Sequence, residues 1–380
     1  MQLKYFILFL ILCFSFCSCK KDHTIVNPLE KALSSELPNI KSVMDNLEEH
    51  QIQIRYTQID HRNDSVIFTD FDYHVNPKYY FYPASTVKLP VAVLALEKLN
   101  TIEGFDLHTK FFIEGDTLET TIAKEIVKIF SVSDNEAYNR LFEFLGQNEI
   151  NEQLKNKGIH SVRISHRLAT PNADDITTKP LIVYINDSTT QARDKIINTA
   201  IKPLPLDGIK KGKAYYEDDV RIQEPFDFSL KNQYSIEAQH TVLERIIFPE
   251  NFSKEQQFKL TKEQRKFLLK AMRTLPKELG YPEKKYYDSY VKFFMFGDHQ
   301  KPIPKTIEIY NKVGYAYGTL TDCAYIKDIE NQIDFLVTAT ILVNQNEIFN
   351  DNSYEYDAIG IPFLAELGRV LYQQELQRLK

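Results

Sequence analysis

Segments that alternate like β-strands lie near the two ends of this chain, and a long stretch of mostly helical pattern separates them. Near the start are residues 52–59 (Ile-Gln-Ile-Arg-Tyr-Thr-Gln-Ile) and, after the turn-like Asn63-Asp64, residues 66–71. Near the end are residues 306–313, 319–326 and 333–343. A strand leaves its backbone donors and acceptors unpaired unless another strand lies beside it. This distribution suggests one sheet assembled from both ends, with the middle looped out as a helical body, which is an α+β layout. Helical periodicity is read at 28–47, 87–99, 135–145, 235–247, 261–274 and 282–294, with a closing amphipathic helix at 363–379. The 87–99 segment is apolar almost throughout, so it is expected to be buried. Asp116-Thr-Leu-Glu119 reads as a capping box opening a helix that runs to Phe130.

The first nineteen residues read as an address. Lys4 precedes an apolar run, which exits through Phe16-Cys17-Ser18-Cys19 into Lys20-Lys21-Asp22. Of the candidate cysteines, Cys19 alone follows a small residue, Ser18; Leu12 precedes Cys13 and Phe16 precedes Cys17. The segment resembles a bacterial lipoprotein signal with Cys19 lipidated, although Phe16 stands where an aliphatic residue is usual. That resemblance implies a lipid anchor in a membrane and a site of work outside the cytoplasm, in the cell envelope. The expected organisation is a signal at 1–19, a tether at 20–28 and a catalytic domain at 29–380. Within the last, 29–80 and 301–380 form the α/β part and 81–300 the mainly helical part. The only other cysteine is Cys323, so the body has no disulfide framework. A net charge of −6 leaves no basic surplus for phosphates, and no nucleic-acid partner is expected. The His are scattered and no Gly-rich phosphate loop occurs, so neither a metal nor a cofactor is expected.

Three short motifs carry the chemistry. Ser-x-x-Lys occurs at Ser18/Lys21, Ser85/Lys88 and Ser289/Lys292. Of these, only Ser85 opens a long apolar helix after a strand region. There the two side chains share a face one turn apart, and a desolvated lysine can take the serine proton. The bland reading of Ser85 is a helix cap. Ser133-Asp134-Asn135 occurs once; Ser133 can relay a proton, and Asn135 can hold a substrate amide. Lys312-Val313-Gly314-Tyr315 ends a strand. Lys312 offers a cation, Gly314 permits close backbone approach, and the N–H groups of Tyr315 and Ser85 are expected to form an oxyanion hole. Ser289/Lys292 and Lys211-Gly212 lie in contexts that suit catalysis less well.

In this order, the three motifs resemble the set Ser-x-x-Lys, Ser-Asp-Asn and Lys-Thr-Gly of class A β-lactamases and penicillin-binding proteins. Tyr317-Gly318 and Asp322 extend the likeness toward the class A branch. The resemblance implies a β-lactamase/DD-peptidase fold: a five-stranded antiparallel sheet flanked by helices, beside a helical subdomain, here with a long insertion. It implies a serine hydrolase with Ser85, Lys88, Ser133 and Lys312 catalytic and Asn135, Gly314 and Tyr315 binding substrate. The implied substrate is a small molecule, a β-lactam or a peptidoglycan-like amide. Two departures stand out. Val313 replaces a Thr or Ser whose hydroxyl helps hold a β-lactam carboxylate. In Arg167-Leu-Ala169-Thr-Pro-Asn-Ala173, Ala169 stands where the family's water-activating Glu is found, with Asp174 and Asp175 as nearby substitutes. The alternatives to a β-lactamase are a DD-peptidase-like enzyme and an envelope lipoprotein that acylates slowly and acts by contact.

Overall fold

The computed structural model describes residues 27–63 and 65–379. The signal segment, Cys19 and most of the tether lie outside the described residues. The ends of the chain do meet. Strands β1 (Gln53–Arg62), β2 (Ser65–Tyr73), β3 (Ile307–Ala316), β4 (Thr319–Asp328) and β5 (Ile333–Leu342) form one antiparallel sheet in the order β3-β4-β5-β1-β2. Pairing of Tyr56 with Val337 joins the N-terminal pair to the C-terminal three. The sheet is covered on both faces, and every residue of β4 but Lys327 is buried. One face carries the helix Ile361–Arg378, with Phe363, Leu364 and Leu367 packed against Phe335, Val337 and Ile341. The other carries the helix Ile236–Ile247 and leads into the helical body.

That body is organised around the helix Lys88–Leu99, in which ten of twelve residues are buried. Its all-round apolarity suits a central element, since helices Ile122–Val132 and Asn135–Leu145 both pack on it. Strand β3 is an edge strand, and the short turn Ala84–Val87 that precedes the central helix packs directly against it. The seam between sheet and helical body therefore runs past Ser85.

Four local expectations are corrected. Residues 28–47 are not one helix but Pro28–Leu33 and Pro38–Met44, with Leu47–His50 beginning at their end. Pro38 sits at the first turn of its helix, where its missing N–H is harmless, and it could not continue the preceding one. Asp116 and Glu119 form no capping box. The helix begins at Ile122, and the Thr121 hydroxyl accepts the Lys124 N–H at 3.2 Å. Asp116 instead receives Arg140 Nε at 3.0 Å. Residues 282–294 form turns rather than a helix, because their polar side chains point inward: Lys292 Nζ donates to Met272 O at 2.7 Å. Within 81–300, expected to be mainly helical, residues 157–235 hold no helix; short strands such as Leu181–Asn186 and Thr189–Arg193 lie in this stretch. The helix Gln147–Asn156 was not foreseen. Among the described residues no helix is long and apolar enough to cross a membrane.

Candidate active site

Ser85 lies in the turn Ala84–Val87, directly after Ala84, whose backbone is left-handed (φ 46°). It is partly exposed, and Lys88, one turn on, is fully buried. Ser133 also takes a left-handed conformation (φ 56°), ending the helix Ile122–Val132. Asp134 then caps the next helix, its Oδ1 accepting the Ala137 N–H at 2.8 Å. This tight link between two helices puts Ser133 and Asn135 beside the Ser85 turn. Lys88 Nζ donates to Asn135 Oδ1 at 2.7 Å, to Ser133 O at 2.5 Å and to Ser133 Oγ at 3.3 Å. From the sheet side, Lys312 Nζ donates to Ser133 Oγ at 2.8 Å and to Val313 O at 2.7 Å. The Ser133 hydroxyl thus lies between two lysines drawn from different parts of the fold.

Burial is the first cause of both lysines' altered basicity. It brings Lys88 from the usual 10.5 down to about 7, against a smaller opposing pull from Asp134. It brings Lys312 well below its ordinary value, and Lys88 adds to that effect. An amine near 7 is unprotonated often enough at neutral pH to serve as a base. Gly314 permits the close approach: a Cβ there would sit 2.7 Å from Ser85 N and 2.8 Å from Pro83 O. The Ser85 and Tyr315 backbones therefore converge on one cleft of about 430 Å³. Ser85, Asn135 and Tyr315 all line it.

The departures from the motif pattern have clear placements. Leu168 and Ala169 line the cleft, and no carboxylate does. Asp174 and Asp175 are both exposed and do not line it, so neither takes the place of the missing Glu. Asp174 lies 3.8 Å from Lys231. Val313 is buried in the apolar cluster with Ile309 and Leu320. Ser289 and Lys292 lie away from the cleft, Ser289 Oγ donating to His299 O at 2.6 Å.

Several further residues shape the site, most of them outside the motif stretches. Asn139 clamps the loop, accepting the Leu168 N–H at 2.8 Å and donating to Leu168 O at 3.0 Å. Arg167 is buried in a bidentate pair with Glu143, at 2.6 and 3.1 Å. The phenols of Tyr82, Tyr317, Tyr354 and Tyr356 complete the walls. Only the loop's course in three dimensions gives these ordinary residues a role. Potential metal donors also converge elsewhere: Asp70, His240 and Glu244 lie within 4.8 Å of one another. The ring nitrogens of His240 are already engaged, by Thr57 Oγ1 at 2.8 Å and Thr338 Oγ1 at 2.9 Å.

A family model described as "Beta-lactamase enzyme family" matches residues 38–374. The chain belongs to that family. It is a β-lactamase-family enzyme. No curated protein sequence matches it. Among solved structures it is similar to PBP-A, with TM-score 0.52 and 14% identity over 92% of this chain and 96% of that one. It is similar to L2 complexed with relebactam, with TM-score 0.51 and 15% identity over 91% and 98%. It is also similar to a β-lactamase from Sphaerobacter thermophilus DSM 20745, with TM-score 0.50 and 13% identity over 92% and 96%. At these identities the likeness is one of fold.

Proposed function

We propose that this family member is an extracytoplasmic serine hydrolase that forms an acyl-enzyme at Ser85 and releases it slowly. Neutral Lys88 takes the Ser85 proton, and Ser85 Oγ attacks the carbonyl of a β-lactam or related amide. The Ser85 and Tyr315 N–H groups face the developing oxyanion. Ser133 passes a proton to the leaving nitrogen and is recharged through Lys88 and Lys312. Asn135 orients the substrate amide. The observation that carries the reading is the pair of lysines converging on Ser133 beside Ser85, in a cleft without a carboxylate. Acylation has its base and its relay, whereas deacylation lacks a group to activate water. We further propose that Cys19 anchors the protein by lipid in the cell envelope, where such amides occur.

Incubation with a penicillin followed by intact-protein mass spectrometry and peptide mapping tests this reading. A stable adduct on Ser85 that Ser85→Ala abolishes is the expected result. An adduct on Ser133 or Ser289, or none, contradicts it. A DD-peptidase-like enzyme acting on peptidoglycan stem peptides remains the second reading, favoured by the same slow-release geometry.

A further inference from the structure

Around Ser85 the cleft has no exposed cation. Its lining holds no Lys, Arg, Asp or Glu. The two lysines beneath it are both buried, and Lys312 spends its donors on Ser133 Oγ and Val313 O. Position 313, next to Lys312, supplies no hydroxyl, since Val313 lies in an apolar cluster. Burial, before any neighbouring charge, raises the Tyr82, Tyr317 and Tyr354 phenols, so they stay neutral at the cleft wall. A substrate carboxylate entering here loses its water and meets no counter-charge in the lining. What the cleft does offer is aromatic faces and neutral amides. Tyr315, half exposed, packs edge-to-face on Tyr356 with ring centres 5.2 Å apart, and Tyr354 lies 5.4 Å beyond. Asn350 and Asn352 stand beside them on exposed, left-handed backbone. Flat apolar walls with side-chain amides at the rim suit an uncharged ring-bearing group.

We propose that the Ser85 cleft takes a neutral substrate, an ester or amide with no carboxylate beside the scissile carbonyl, whose ring lies along Tyr315 and Tyr356. The proposal rests on the acyl-enzyme reading and narrows its substrate class. With an ester, the Ser85 Oγ–acyl bond forms as the ester C–O bond breaks. The Ser85 proton passes through Lys88 and Ser133 to the leaving alcohol. Water later gives its hydroxyl to the acyl carbon and its proton back to Ser85.

The test compares acylation rates of the full-length protein by a chromogenic cephalosporin and by its methyl ester, each read as Ser85 adduct by mass. The ester is expected to react about tenfold faster or more, because the acid must shed water from a carboxylate that the lining gives no partner. Equal rates, or a faster acid, overturn this proposal alone. No Ser85 adduct from either probe overturns the acyl-enzyme reading and this proposal with it. Asn352→Lys, which adds a cation at the rim, should raise the acid's rate relative to the ester's; an unchanged ratio counts against the proposal.

Discussion

As a base for Ser85, Lys88 must be unprotonated, and burial brings its pKa down to about 7, so that both forms are present near neutral pH. Because the folded value falls from 10.5 to about 7, the free-base fraction grows as pH rises through 7. Acylation measured by adduct formation should therefore rise with pH up to about 7 and level off above it. Lys88→Ala should slow it by roughly 10²–10⁴-fold, the usual worth of general-base help, and flatten that profile. A profile unchanged in Lys88→Ala would move the base elsewhere. The grouping of Ser85, Lys88, Ser133, Asn135 and Lys312 was legible at this scale, because short spacings mark the first four and a strand end marks Lys312, and the fold brings the five together. Asn139, Glu143 and the cleft residues Tyr82, Tyr354 and Tyr356 were not. Asn139 acts only because the loop at Leu168 comes back to it, and no local pattern marks that return.

Between elements, the meeting of strand β3 with the Ser85 turn leaves no room for a side chain at position 314. Gly314→Ala would push a methyl to 2.7 Å from Ser85 N, so the turn must shift. A misplacement of this kind should cost about 10²-fold in acylation, with a far smaller change in melting temperature. Unaltered acylation in this variant would refute the contact. A second element-level test lies on the helix Ile236–Ile247. Burial first, then Asp70, raises Glu244 from 4.5 to about 8. Between these values the folded protein holds a proton that the unfolded chain has released, so stability falls as pH rises through that window. Glu244→Gln should therefore flatten the melting temperature between pH 5 and pH 9 and exceed wild type at the upper end. Equal slopes in the two proteins would contradict this. The elements that sequence reasoning placed correctly are those whose own pattern decides them, such as the apolar helix Lys88–Leu99 and the alternating β3. Residues 282–294 look helical by period, yet Asp288, Ser289 and Lys292 bond to Lys277, His299 and Met272, outside the segment. Tertiary hydrogen bonds outweighed a weak local preference there.

For the whole molecule, the sheet built from both ends follows from the strand distribution alone, whereas the short-stranded stretch 157–235 has too little periodicity to be read. Location is a whole-chain property as well. If Cys19 carries a lipid, Cys19→Ala should move the protein out of the membrane fraction and abolish incorporation of a fatty-acid probe. Retention and labelling that survive the substitution would remove the anchor from the account. The cleft's composition bears on turnover, since Ala169 and Leu168 stand where a deacylating base would act and Asp174 faces Lys231 instead. The most direct measurement is stopped-flow hydrolysis of a chromogenic cephalosporin at saturating concentration, with the protein mass recorded in parallel. The account predicts a burst of one product per protein, a Ser85 adduct that persists, and slow turnover after it. Rapid steady hydrolysis with no trapped adduct would contradict it.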